Sequence, residues 1–250
     1  MRTRDRSGFN LIELAVVAVV VWLAATVLFS AYNEGITRSV ASSLAVRARD
    51  IYVALAAADA EREPLGAPSL WTSALDPATR SRLRDRPIPE AFSNSTAFFN
   101  CLIENRLCEG LRYDSLGGGG VPTGRSGAFG ATNNVWSVAV NLRDDLPDAV
   151  SLLITRNVDL SSLASRMGPA ELAQAARVDP VWREPFGDSY LVCVKKGGAI
   201  YKGRLKAMPY RTLCGAEPFD PRVDKTGQPE ARPLTYLTPS RAIVSGGVRP

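Results

Sequence analysis

The chain has 250 residues, 46% of them hydrophobic, enough for one anchoring helix plus one globular domain of ordinary size. Its formal charge of +5 is too mild to indicate a nucleic-acid partner: Arg2, Arg4 and Arg6 against Asp5 place +2 in residues 1–8 and leave +3 for residues 9–250. The absence of histidine removes the usual general base of nucleophilic catalysis and argues against an enzyme, with carboxylate chemistry left open.

The first predicted element is an apolar helix. From Leu14 to Phe29 there is no charge, and ten of those sixteen positions are Leu, Val or Phe, which favours bilayer insertion by roughly 3–6 kcal/mol. The 24 residues Phe9–Tyr32 match the roughly 17–25 needed to span the hydrocarbon core. The basic residues 1–8 should stay cytoplasmic, placing the chain after Phe29 on the far side. Glu13 is the anomaly, because a carboxylate within such a helix costs up to about 2.5–3.5 kcal/mol at its centre and less near an interface. Taken alone, it reads as a side chain snorkelling to the interface.

Its neighbours point further. Gly8-Phe9-Asn10-Leu11-Ile12-Glu13-Leu14, after a short basic leader and before an apolar helix, resembles the class III signal of type IV pilins and type II secretion pseudopilins. The resemblance implies that prepilin peptidase cuts after Gly8 and methylates the new N-terminus at Phe9, leaving Glu13 fifth in the mature chain. It also implies a single-pass protein of the bacterial cytoplasmic (inner) membrane with a periplasmic head. Its partners would be an inner-membrane assembly platform and copies of itself or other pilin-like subunits in a helical fibre. When such helices leave lipid and pack together, a neighbour's Phe9 ammonium neutralises Glu13 and fixes the axial stagger. Asn10 stands where Thr is frequent in the family, at no mechanistic cost. An ordinary cleaved signal peptide competes poorly: the apolar run is longer than a usual signal core, and Phe29-Ser30-Ala31 lacks the small residue expected three before a cut after Ala31.

Beyond Tyr32 the helical period continues with Ile36, Val40, Leu44, Ile51 and Leu55 on one face, and Pro64 marks the end. One helix of 55 residues, Phe9 to Glu63, would be roughly 80 Å long. No proline interrupts it, so only Asn33 and Gly35 weaken its middle. A short helix is predicted over Pro77–Arg84, with Arg80, Arg82, Arg84 and Arg86 read as a solvated face rather than a basic site. Ser93-Asn94-Ser95 offers a cap before a helix over Thr96–Asn105.

Residues Gly117–Asn134 read as a long glycine-rich loop. Its Gly119–Ser126 stretch nearly matches a phosphate-binding loop, but no strand precedes it and no helix follows. Gly124-Arg125-Ser126-Gly127-Ala128 likewise fails the nucleophile-elbow pattern, and no catalytic residue is assigned. Strands follow at Val135–Leu142, Ala149–Thr155 and Ser189–Val194, the last joined through a Lys195-Lys196-Gly197-Gly198 hairpin to Ala199–Arg204, with a short helix over Pro169–Arg177 between.

Thr155-Arg156-Asn157, Pro185-Phe186-Gly187-Asp188 and Lys195–Gly198 also resemble a longer-headed subgroup related to the major pseudopilin. Major pseudopilins often bind calcium near the C-terminus. Here Asp144, Asp145, Asp148, Asp220 and Asp224 show no ligand-loop spacing, and neither cofactor nor metal is assigned.

Cys101, Cys108, Cys193 and Cys214 suit an oxidising compartment and allow three connectivities. On one unbroken helix Cys101 and Cys108 would stand about 10.5 Å apart, so a bond between them needs the helix to end near Asn105. Cys193 and Cys214 flank the hairpin and could staple the tail to it.

The expected class is α+β and pilin-like, a long N-terminal helix packed on a small antiparallel sheet. The expected divisions are a leader 1–8, a transmembrane or filament-core helix 9–32, an amphipathic stem 33–63, a globular head 64–208 and an extended tail 209–250. The expected role is a structural subunit, a pseudopilin of a type II secretion-like system. The alternatives are a type IV pilus subunit for adhesion or DNA uptake, and a membrane-tethered extracytoplasmic binding domain.

Overall fold

A computed structural model describes residues 11–83, 90–142, 146–161, 173–214 and 234–244. The chain divides into two compact units, Met1–Ser39 and Val40–Pro250. Helix α1, Leu11–Arg62, runs unbroken for 52 residues from the first into the second. No turn or bend intervenes at Asn33 or Gly35, so two weak helix formers flanked by good ones do not interrupt the ladder.

In the second unit, α1 buries Ala41, Leu44, Ala48, Ile51, Leu55 and Ala58, alternating three and four residues apart. Leu44, Ile51 and Leu55 were expected there. Ile36, also expected on that face, is 46% exposed and belongs to the first unit. The interleaved alanines let neighbouring backbone come close. The helix ends at Pro64, whose ring sits in a 3-10 turn over Glu63–Leu65 closed by Gly66 in the left-handed region at φ 64°.

Two short helices start on side-chain caps, the second of them the cap expected at Ser93–Ser95. Asp76 accepts a hydrogen bond from Thr79 N at 2.8 Å to start α2, Pro77–Arg82, and Asn94 accepts one from Ala97 N at 2.8 Å to start α3, Ser95–Glu104. Helix α3 does end at the Asn105 cap, with Arg106 in the left-handed region at φ 51°. One further turn of helix, α4, covers Tyr113–Leu116.

The sheet comprises β1 Trp136–Val140, β2 Ser151–Thr155, β3 Tyr190–Lys195, β4 Ile200–Arg204, β5 Thr235–Leu237 and β6 Ala242–Val244, in the order β4-β3-β2-β1-β5-β6 and antiparallel throughout. Four of these strands and the Lys195–Gly198 hairpin lie where alternation and turn chemistry put them. Alternate side chains separate into two cores. Trp136, Val138, Val140, Val192, Val194 and Leu237 face α1 and α3, whereas Ala139, Ile154, Leu191, Cys193 and Tyr236 face the opposite way.

Two expectations need correction. Residues 209–250 do not run wholly as an extended tail: they contribute a short helix, α5, at Tyr210–Cys214, and the strands β5 and β6, with 215–233 and 245–250 outside the described residues. β5 pairs with β6, its neighbour in sequence, and on its other side with β1, some hundred residues earlier in the chain. Of the helix expected over Pro169–Arg177, residues 169–172 lie outside the described residues and 173–177 are not helical. There Ala176 N donates to Met208 O and Arg177 O accepts from Asp159 N, both at 2.8 Å, so the backbone bonds are spent on neighbouring chain instead of the helical ladder.

The glycine-rich segment has a packing reason. Gly118 and Gly119 adopt positive φ, and a Cβ on Gly119 would stand 2.6 Å from the Cβ of Pro185 and 3.1 Å from Leu44 Cδ1. Arg47 donates from Nη1 to the carbonyls of Asp114 and Gly117 at 2.7 and 2.6 Å, drawing this loop onto α1. Gly119→Ala is therefore expected to destabilise the protein by about 1–3 kcal/mol, read as a lower midpoint in denaturant; an unchanged midpoint would contradict the close approach.

Burial alone would raise the Asp76 carboxyl, but the Thr79 hydrogen bonds and the charge of Arg62 outweigh it and hold the group below its usual value of 3.8. A depressed folded value stabilises the fold above the unfolded value, and that benefit fades as pH falls through it. Asp76→Ala should cost about 1 kcal/mol at pH 7, with the gap from wild type shrinking below pH 3.8 in thermal melts.

Candidate functional site

The segment that sets this chain apart chemically is the first part of α1. Between Glu13 and Glu34 lie 20 consecutive residues without a charge, about 30 Å at 1.5 Å per residue and so one hydrocarbon thickness. Among the described residues this is the one helix long and apolar enough to cross a membrane. Every large apolar side chain from Leu11 to Tyr32 is at least half exposed, from 50% at Val17 to 82% at Leu11. A helix that is apolar on all sides is stable only in apolar surroundings.

The polar atoms inside the segment are handled locally. Thr26 Oγ1 donates to Leu23 O at 2.8 Å, returning its hydroxyl to the helix backbone, as Thr37 Oγ1 does to Asn33 O at 2.9 Å. Beyond the apolar run Arg38 pairs with Glu34 at 2.8 Å, one turn apart, a solvent-exposed contact worth about 0.3–0.5 kcal/mol.

At the other end, Glu13 lies in the first turn of α1, where the positive pole of the helix favours a carboxylate. The candidate processing residues Gly8 and Phe9, and the leader before them, lie outside the described residues. The geometry therefore places Glu13 alone of the three.

The head offers buried polar structure rather than a reactive cleft. At the end of β2, Arg156 is 3% exposed and donates to the carbonyls of Ala131, Asn134 and Glu184 at 2.9, 3.0 and 3.2 Å. It also bonds the Glu184 carboxylate at 3.1 Å and lies 4.4 Å from the centre of the Trp182 ring. Burial pushes its pKa down and Glu184 opposes the shift. Next to it, Asn157 Nδ2 donates to the carbonyls of Gly187 and Tyr190 at 2.9 and 2.8 Å. Arg156-Asn157 and the 184–190 segment, two of the three stretches singled out together in the sequence, are thus joined. Lys196 lies elsewhere and donates to Leu146 O at 2.8 Å.

Other candidates resolve into structure. The phosphate-loop look-alike turns back on itself through a Gly118–Val121 bridge, and no helix starts at Arg125 or Ser126. Arg80 is half-buried and donates to Leu75 O at 3.0 Å, while Arg84 and Arg86 lie outside the described residues. A groove of about 690 Å³ beside α1 is lined by Tyr52, Asp59, Trp71 and Lys196, but Asp59 is already engaged by Leu70 N and Ser69 Oγ, both at 2.6 Å. Among the described residues no three His, Cys, Asp or Glu side chains gather as metal ligands; Asp144, Asp145, Asp220 and Asp224 lie outside them.

All four cysteines are buried as thiols. Burial pushes Cys101, Cys108 and Cys214 up to about 11, and Cys193 upward as well. Comparison with family models, with curated proteins and with solved structures returns no match in any of the three. The arrangement itself is pilin-like in general terms: an N-terminal helix with an apolar first part, and a head in which the rest of that helix packs on an antiparallel sheet.

If the apolar run serves as a membrane span, two charges at its centre should defeat it. Val20→Arg with Ala24→Arg is expected to cost about 5–7 kcal/mol of insertion, more than favours it, and to move the chain from the carbonate-resistant membrane fraction to the soluble or aggregated fraction. Retention of the variant in the membrane would show that the segment does not depend on lipid.

Proposed function

We propose that the chain is a structural, non-enzymatic pilin-like subunit, a pseudopilin of a type II secretion-like system. On this reading it enters the bacterial inner membrane with its leader in the cytoplasm and its head in the periplasm. Prepilin peptidase cuts after Gly8 and methylates Phe9. An assembly platform then draws the subunit from lipid into a helical fibre, with roughly the first 20 mature residues in its core.

One observation carries the proposal. The Gly8-Phe9-Asn10-Leu11-Ile12-Glu13-Leu14 stretch leads directly into an unbroken helix whose only carboxylate before Glu34 sits in its first turn. A lipid anchor has no use for that carboxylate and bears its desolvation cost. A fibre has a use: the ammonium created at Phe9 lies four residues from Glu13 in sequence, and a neighbouring subunit's ammonium meets that carboxylate only at one axial offset. Exchanging lipid for helix neighbours leaves the apolar side chains equally satisfied, so the charge pair, rather than apolar burial, selects the register.

Intact-mass and N-terminal peptide analysis of the protein from its own membrane should find a chain beginning at methylated Phe9. Gly8→Val should leave the leader attached. Glu13→Ala should be processed normally yet enter fibres at less than roughly a tenth of the wild-type level, because it leaves the neighbour's ammonium without a counter-charge. A chain beginning at Met1 would leave α1 as a simple tether for the head, and full assembly of Glu13→Ala would remove the register argument.

A further inference from the structure

The sheet sorts the four cysteines by face. Cys101 and Cys108 belong to the core shared with α1 and α3, and Cys193 and Cys214 to the core on the other side. Packed layers stand about 10 Å apart, beyond the roughly 7 Å between Cα atoms that a disulfide can bridge. Both connectivities that join a cysteine of one pair to a cysteine of the other would have to pass through the strands.

On the far face, the surroundings of Cys193 and Cys214 converge. Ser151 of β2 donates from Oγ to Leu213 O at 2.8 Å, the carbonyl joined to Cys214 N. Lys195 of β3, two residues from Cys193 on the same strand, donates to Ala149 O at 3.0 Å and to Thr212 O, two residues before Cys214. Tyr236 of β5 belongs to the same core, and its buried hydroxyl finds no hydrogen-bond partner among the described residues. Three strands thus hold α5 against the centre of β3.

We propose that Cys193 and Cys214 are joined by a disulfide when the head folds under oxidising conditions. One thiolate attacks a disulfide-bearing oxidant, R–S–S–R, and expels one R–S⁻. The second thiolate attacks the mixed disulfide and expels the other. The two cysteine protons leave with the expelled groups, so two thiols are oxidised and the oxidant is reduced to two R–SH. In the folded head Cys193 and Cys214 are 0% and 1% exposed, so the exchange precedes the docking of β5 and β6. Once closed, the bond lies beyond the reach of reductant and acts as a staple rather than a switch. It ties α5 to the β3–β4 hairpin.

The proposed periplasmic location supplies the oxidant but not the pairing, and the two are tested separately. Full-length protein is refolded in detergent with a reduced/oxidised glutathione buffer, trapped with N-ethylmaleimide in denaturant and digested without reductant. Mass spectrometry should find the Cys193 and Cys214 peptides linked and lighter by two hydrogens. Linkage of either to Cys101 or Cys108, or alkylation of both, overturns the proposal. Protein extracted from its own membrane should carry the same link; if it is alkylated there yet links on refolding, the pairing stands and the periplasmic location falls.

Under oxidising conditions Cys193→Ala, Cys214→Ala and the double variant should each lower the melting temperature by the same roughly 5–15 °C. Reductant added before folding should bring the wild type down to their level. Additive single-variant effects, unaltered by reductant, would show two independent core thiols and overturn the bond.

Discussion

One uninterrupted helical hydrogen-bond ladder, Leu11 to Arg62, is the constraint on which everything else rests. A helix satisfies its own backbone, so it makes no demand on its surroundings beyond what its side chains impose. That lets the chain change the chemistry of one rod along its length at little cost. Up to Tyr32 the surface is apolar on every side. From Val40 onward one stripe is buried, with Ala41, Ala48 and Ala58 allowing close approach and Leu44, Ile51 and Leu55 filling space. A proline or a capping glycine near Asn33–Gly35 would have ended the ladder there and separated the two parts.

The head is organised from α1 outward by a few long side chains. Arg47 gathers the Asp114–Gly117 backbone, Asp59 receives Leu70 N, and Arg62 donates to Pro68 O at 3.0 Å and to Asp76 at 3.4 Å. Each fixes a loop that has no apolar periodicity of its own to anchor it. Arg156 repeats the device at the far end of the sheet, where several carbonyls share one guanidinium. A loop carbonyl bonded to a charged donor is worth more than one bonded to a neutral group. These irregular segments are ordered by polar contacts, whereas the sheet and helices are ordered by burial.

That division explains what the sequence disclosed. Periodicity reports burial, so α1, α3, the four strands from Trp136 to Arg204 and the hairpin turn at Lys195–Gly198 were all legible. Glu13 stood out in the sequence because a carboxylate in an apolar helix contradicts its surroundings. What stayed hidden were contacts between residues far apart in sequence. Arg47 and Arg156 look like any surface arginine until their carbonyl partners are in place. Gly119 opened a near-match to a phosphate cradle because a glycine needed for approach to a ligand and one needed for approach to a helix carry the same letter. Leu234–Leu237, bounded by Pro233 and Pro239, is too short to show alternation, and β5 was missed for that reason.

The position of β5 carries a consequence for how the head forms. It pairs Val138 with Leu237 and Val140 with Thr235, so β1, whose five residues are all buried, has no completed partner on one edge until nearly the whole chain is present. The N-terminal end of α3 has the same dependence: Ser95 N donates to Thr238 O at 2.8 Å and Thr96 Oγ1 to Pro239 O at 2.9 Å. The last-made strands therefore close the sheet and cap the helix beside it. Contacts between residues so far apart in sequence form slowly, because loop closure costs entropy before any contact repays it. Until β5 is in place this edge is exposed, and an unpaired apolar edge strand is a template for misassociation. A covalent tie between β3 and α5 would shorten the remaining search, since it holds the chain leading to β5 against the face that Tyr236 has to cover.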